Sequence, residues 1–128
     1  MMTPNATYQW VLLHHVTAED SHFDFMLEDS GQLLTWRLLR VPGPHETIKA
    51  ERIQNHRVVY LDYEGPLTGD RGAVTRADRG SYHRIVWSPE LLVVELHGQK
   101  LHGQVELRSQ GPFWTLLYAS ASAEAAQE

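Results

Sequence analysis

One segment constrains the fold more than any other: His22-Phe23-Asp24-Phe25-Met26-Leu27-Glu28. In an extended chain successive side chains point to opposite faces. Phe23, Phe25 and Leu27 therefore share one face, and His22, Asp24, Met26 and Glu28 share the other. A helix would scatter the same residues around its circumference. Asp29-Ser30-Gly31 follows as a turn signal, and Gln32 to Leu39 reads as a second strand around Trp36, which makes a hairpin.

The rest of the chain is punctuated in the same way. Val41-Pro42-Gly43-Pro44-His45 is a loop, because proline supplies no ladder donor. Strands are expected over Trp10 to Leu13, Arg57 to Tyr63, Gly72 to Trp87, Leu91 to Leu96, Lys100 to Leu107 and Phe113 to Tyr118, with a turn-rich rim loop over Gly65 to Gly72. The Ala/Glu/Ser-rich tail, Ala119 to Glu128, reads as a frayed end or a short helix. No convincing amphipathic helix, internal repeat or linker interrupts this pattern. Seven or eight short strands at regular spacing predict an all-β fold, an antiparallel β-barrel in preference to a sandwich. His22 and Asp24 opposite an apolar strand face predict a polar central cavity in that barrel. The whole chain, 1–128, is expected to form one domain with its core over about 8–118.

With 128 residues the chain is long enough for a real core, so no covalent staple is required. There is no cysteine, which removes disulfides, zinc–thiolate sites, iron–sulfur clusters and thiol catalysis. The net charge of −5 disfavours coating of long duplexes, which needs a basic face. It leaves room for a pocket that handles one phosphate. The basic stretch from Arg71 to Arg84 carries four arginines against the single acid Asp78. No apolar run is long enough to span a bilayer, and Met1 to Gln9 shows no secretory pattern, so a cytoplasmic protein without membrane contact is expected.

Chemistry is concentrated in the eight histidines. His22 and Asp24, two apart on a strand, project together. A third ligand from the preceding run, His14 or His15, would complete two imidazoles and a carboxylate, a set suited to Mn²⁺, Zn²⁺ or Fe²⁺. The same residues also read as a simple hydrogen-bonded His–Asp pair beside surface histidines. His56 and Tyr60, four apart, read as sharing a strand face. They are either a buried hydrogen-bonded pair or a place where His56 contacts phosphate or moves a proton. Glu28 could orient a ligand histidine. His83, His97 and His102 fall at turns and strand ends and read as exposed.

Taken in order, several segments resemble the 3′-phosphoesterase domain of bacterial DNA ligase D. They are His22-Phe23-Asp24-Phe25-Met26-Leu27-Glu28 with a histidine upstream, and Gly31-Gln32-Leu33-Leu34-Thr35-Trp36. Asn55-His56 to Tyr63-Glu64-Gly65 follows, then Arg71-Gly72 with Asp78-Arg79-Gly80-Ser81-Tyr82, and finally Leu96-His97-Gly98-Gln99-Lys100-Leu101-His102-Gly103. The likeness runs from about Tyr8 to Tyr118. It implies a β-barrel and a manganese-supported removal of 3′-terminal ribonucleosides and 3′-phosphates from primer–template ends. By the same likeness His15, His22 and Asp24 match metal ligands, with His14 the alternative to His15, and His56 and Tyr60 match phosphate contacts.

Two family arginines are missing. One is replaced by Met26, which offers neither charge nor donors. The other falls near Ile48, with Lys49 or Arg52 one shift of register away. Arg71, on the glycine-rich loop, is the favoured substitute cation; Arg76, Arg37 and Arg40 are the others available, and each of the four also reads as a solvated surface residue. The expectation is a phosphoesterase-like protein acting through a metal-activated water. A binding module for phosphate or a nucleic-acid 3′ end is the second reading, and a purely structural domain the third. A repair ligase or polymerase partner would be non-covalent.

Overall fold

The computed structural model describes residues 7–121. Nine strands run in the order β1 Tyr8–Val16, β2 Ser21–Asp29, β3 Gln32–Leu38, β4 Glu46–Arg57, β5 Gly65–Pro66, β6 Ala73–Trp87, β7 Leu91–Gly98, β8 His102–Gln110 and β9 Phe113–Ser120. A short 3₁₀ turn, Val58–Leu61, follows β4. Every pairing is antiparallel, and the order β1-β2-β3-β4-β9-β8-β7-β6 closes on itself through β6 and β1. The result is the expected all-β barrel, of eight strands, with the two-residue β5 added along β6.

Closure needs one continuous apolar surface inside, and the alternation supplies it. Trp10 and Leu12, Phe25 and Leu27, Trp36 and Leu38, Ile48 and Ala50, Tyr82, Val94 and Leu96, Val105 and Leu107, and Leu116 and Tyr118 form one buried cluster drawn from all eight barrel strands. A fully buried side chain of the Leu or Phe kind contributes about 1.5–3 kcal/mol. The axis is therefore filled by apolar side chains, and the expected polar central cavity is corrected. His22 and Asp24 have the opposite parity to Phe25 and Leu27, so they stand on the outer wall.

That wall is itself partly covered. Val11, Leu13, Met26, Leu33 and Val74 form a second buried cluster, packed against Tyr60, Leu61, Tyr63 and Leu67. The chain after β4 thus lies back across β1 and β2. The strand expected over Arg57 to Tyr63 is corrected accordingly: Val58–Leu61 is a 3₁₀ turn, and the strand is the preceding Glu46–Arg57. Val58 and Val59 are exposed, so their β-branched character reports no ladder position. Ala119 and Ser120 complete β9, and 122–128 lies outside the described residues.

At one end of the barrel the Asp78 carboxylate accepts backbone N–H groups from Arg79, Gln99, Lys100 and Leu101 at 2.7–3.0 Å. This fixes the tight β7–β8 turn that the sequence marks as His97-Gly98-Gln99. Among the described residues, no helix is long and apolar enough to cross a membrane.

Candidate functional site

The hairpin register brings the first cluster together. His15 lies directly opposite His22 across β1 and β2, and Asp24 follows His22 on the same face. His15 Nδ1 is 3.1 Å from His22 Nε2, His22 Nε2 is 3.5 Å from Asp24 Oδ1, and His15 Nδ1 is 3.9 Å from Asp24 Oδ2. Among the described residues, these three form the one group of His, Cys, Asp or Glu ligand atoms that converge within 4.8 Å. His14 has the opposite parity; its ring stacks on Phe23 with centroids 4.4 Å apart. Of the two adjacent histidines, His15 is the one beside His22.

The tautomer of His15 follows from what lies behind it. His15 Nε2 is 2.7 Å from the Arg71 carbonyl oxygen, which can only accept, so Nε2 carries the hydrogen. Nδ1 then presents its lone pair to His22 and Asp24. The carbonyl reaches His15 because Gly72, at φ +82°, passes against the end of β1; a Cβ there would stand 2.0 Å from the Val16 carbonyl oxygen.

The donor set fits a divalent ion. With bonds of about 2.1 Å, neighbouring ligand atoms lie roughly 3.0–3.4 Å apart, close to the separations seen. Asp24 Oδ1 is buried and without a hydrogen-bond partner, a lone pair that a cation satisfies. His22 Nδ1 is buried and unpartnered as well, and nothing in the structure explains it. Burial pushes the His22 imidazole below its ordinary range against the pull of Asp24, with Arg37 and His15 acting in the same direction as burial. A neutral imidazole is the form that ligates.

The cluster forms part of the lining of a cavity of about 570 Å³, with Leu13, Met26, Val74, Ile53 and Leu67 as apolar walls and Arg37, His56, Tyr60 and Arg71 as further polar groups. His56 reaches this face through an irregularity. Leu33 pairs with His56 and Thr35 with Ile53, so β4 carries an extra residue between them. Without that bulge the two-residue period would turn His56 toward the barrel interior. Thr35 Oγ1 donates to the Leu33 carbonyl at 3.1 Å and accepts from His56 Nδ1 at 2.9 Å, with the Gln54 carbonyl a second acceptor at 3.2 Å. His56 Nε2 is left as the free lone pair. Burial lowers the His56 pKa against the pull of Asp24, so the ring is neutral at neutral pH.

Tyr60 meets His56 edge to face, centroids 5.7 Å apart, but from the 3₁₀ turn and not from the same strand. Tyr63 continues the aromatic row at 5.8 Å from Tyr60, and its hydroxyl donates to the Pro66 carbonyl. Arg71 sits at the rim, exposed, with Nε on the Thr68 carbonyl at 2.8 Å and Nη2 on Thr68 Oγ1 at 3.0 Å. Glu28 is remote from the ligand histidines; Oε1 accepts the Gln9 amide at 2.9 Å. Arg52 is also committed elsewhere, to the Thr35 and Ile53 carbonyls and the Trp36 face. The basic stretch is largely neutralised: Arg76 faces Glu64, Arg79 pairs with Asp62, and Arg84 with Asp29.

Arg37 is a cavity residue that the sequence offers only as one of several possible substitute cations, behind Arg71. It lies directly opposite Asp24 across β2 and β3 and is half-buried. Its parity with Leu33 and Thr35, against Trp36 and Leu38, was the available signal. That signal is useful only once the outer wall is known to carry the site.

Fold and site together define a closed antiparallel barrel that carries a two-histidine, one-carboxylate cluster in a pocket on its outer wall. The family model for the DNA ligase D 3′-phosphoesterase domain matches residues 13–108, three-quarters of the chain, and the protein belongs to that family. The matched span contains every residue of the cluster and of the cavity lining named above. Comparison with curated proteins gave no match.

Proposed function

We propose that the protein is a divalent-metal-dependent phosphoesterase acting on 3′-terminal phosphate or ribonucleotide ends of DNA. The observation that carries this reading is the convergence of His15 Nδ1, His22 Nε2 and the Asp24 carboxylate in one cavity with His56, Tyr60 and two arginines. These three residues would hold Mn²⁺, or Zn²⁺ or another divalent ion. Bound there, the ion supplies charge stabilisation at a phosphate oxygen and lowers the pKa of water.

The remaining steps belong to the chain. His56 is neutral, with Nδ1 fixed by Gln54 and Thr35, and takes or returns a proton at Nε2. Tyr60 presents a phenol beside it as a donor to phosphate oxygen. Arg71 sits at the rim, where its charge attracts an anionic end. The chain has no cysteine, and water is the nucleophile in this reading. The substrate is a DNA 3′ end, and a repair ligase or polymerase in the cytoplasm is the proposed partner.

One observation favours a second reading, a module that binds such ends without cleaving them. Met26 is fully buried among Val11, Leu13, Leu33 and Val74, so β2 offers only a thioether to the cavity beyond Asp24. Incubation of Mn²⁺-loaded protein with a primer–template bearing one 3′-ribonucleotide or a 3′-phosphate separates the two. Shortening or phosphate release supports the enzyme; retained binding without either product supports the module.

A further inference from the structure

Arginines in this structure are mostly spoken for. Arg40, Arg52, Arg71, Arg76, Arg79, Arg84 and Arg108 each hydrogen-bond or ion-pair with another group. Of the two that do neither among the described residues, Arg57 is exposed and Arg37 is half-buried. Its Nε is buried without a partner, and no ion pair forms with Asp24 or Glu51, its register neighbours on either side. A half-buried guanidinium without a carboxylate keeps a strong demand for an anion.

Arg37 also borders a second groove, of about 340 Å³, which adjoins the first cavity and is lined by Leu39, Lys49, Glu51, Pro112 and Phe113. The groove crosses the outer wall from β3 over β4 to β9, so it continues the lane that begins at His15 and Asp24. Phe113 is 54% exposed, and Lys49 Nζ lies 4.8 Å from its ring centroid. A half-exposed aromatic ring with a cation over one face, leading away from a half-buried arginine, matches what single-stranded nucleic acid requires: stacking for bases and charge for the backbone. Two strand spacings separate β3 from β9, about 10 Å, which is the rise of roughly three stacked nucleotides.

We propose that Arg37, Lys49 and Phe113 form a nucleotide subsite that holds the strand leading to the reacting 3′ end, Arg37 on its phosphate and Phe113 under a base. This rests on the phosphoesterase reading and adds where on the outer wall the strand leading to that 3′ end lies. It also supplies the cation that the Met26 position lacks, from the adjacent strand. Lys49 and Arg37 outweigh Glu51 locally, whereas the chain as a whole is acidic.

The test is fluorescence anisotropy of a labelled DNA primer–template ending in a 3′-phosphate, with metal-free protein in EDTA so that no hydrolysis occurs. R37M should weaken binding about 10- to 100-fold, the scale of a charge-assisted hydrogen bond. F113A, at an exposed site where folding is not at stake, should weaken it about 5- to 100-fold, the scale of one base–aromatic stack. H102A, on the far wall, should leave it unchanged. Wild-type affinity in either R37M or F113A overturns the proposal, as does a wild-type protein that binds the DNA no better than it binds a 3′-phosphomononucleotide. Phosphate release from that mononucleotide in Mn²⁺ is measured in parallel. Release by wild type and F113A alike, with DNA affinity untouched by either variant, removes the subsite and keeps the phosphoesterase.

Discussion

The barrel carries two groups of close side chains that include histidines, on different walls. On β1 and β2, His15, His22 and Asp24 turn their ligand atoms toward one point, and the Arg71 carbonyl holds His15 from behind. On β6, β7 and β8, His83 and His97 have ring centroids 5.3 Å apart and His97 and His102 5.4 Å apart, all edge to face, with Glu95 3.7 Å from His97. The second group has more imidazoles, yet its ligand atoms do not converge and its rings are exposed or only half-buried. Metal-site character comes from convergence, burial and support behind the ligand, and the number of histidines does not supply them.

The largest test of this contrast is Mn²⁺ affinity by calorimetry in the untagged protein. H22A and D24A should each lose more than the roughly 10- to 100-fold typical of removing a residue behind a ligand, whereas H97A and H102A should match wild type. Equal losses on both walls would break the comparison. Next in size is G72A. The added Cβ cannot coexist with the Val16 carbonyl at 2.0 Å, so the loop must lift the Arg71 carbonyl off His15. Mn²⁺ affinity should then fall by roughly 10- to 100-fold; an unchanged value would show that His15 needs no support.

These two substitutions also mark what could be read in advance. His22 and Asp24 share a face by simple alternation, and the turn at Asp29-Ser30-Gly31 fixes the hairpin, so two of the three cluster residues and their strand were legible. The barrel was legible too, because turns recur at short spacing. Which side of the wall faces the axis was not. Both faces of β1 to β3 are apolar in places, since Val11, Leu13 and Met26 are buried by a segment from elsewhere in the chain. Alternation identifies two faces without saying which is inside. β4 was missed because Ile48 and Ala50 are its only buried apolar residues among charges, while the neighbouring valines looked more strand-like. His56 reached the site through a bulge, which interrupts the very period used to find faces.

A smaller effect sharpens the contrast through pH. The His56 pKa is lowered in the folded protein, so between its folded value and the ordinary 6.5 the unfolded chain binds more protons. Stability from this group is complete above about pH 6.5 and is lost as pH falls below it. The urea midpoint of the metal-free protein should therefore drop less between pH 7 and pH 5 in H56Q than in wild type. An equal drop would mean that burial does not weigh on this ring. Smallest of all, H102A should change stability by no more than about 0.5 kcal/mol, as expected for an exposed position.

Phosphoester hydrolysis at a DNA 3′ end is the reaction proposed for the outer-wall cluster. Its most direct test is phosphate release from a 3′-phosphate primer–template, with wild type and D24A, in Mn²⁺ and in EDTA. Wild type should release phosphate in Mn²⁺ alone, and D24A should release none. Release that survives EDTA, release by D24A at the wild-type rate, or no release by wild type under any condition would contradict it.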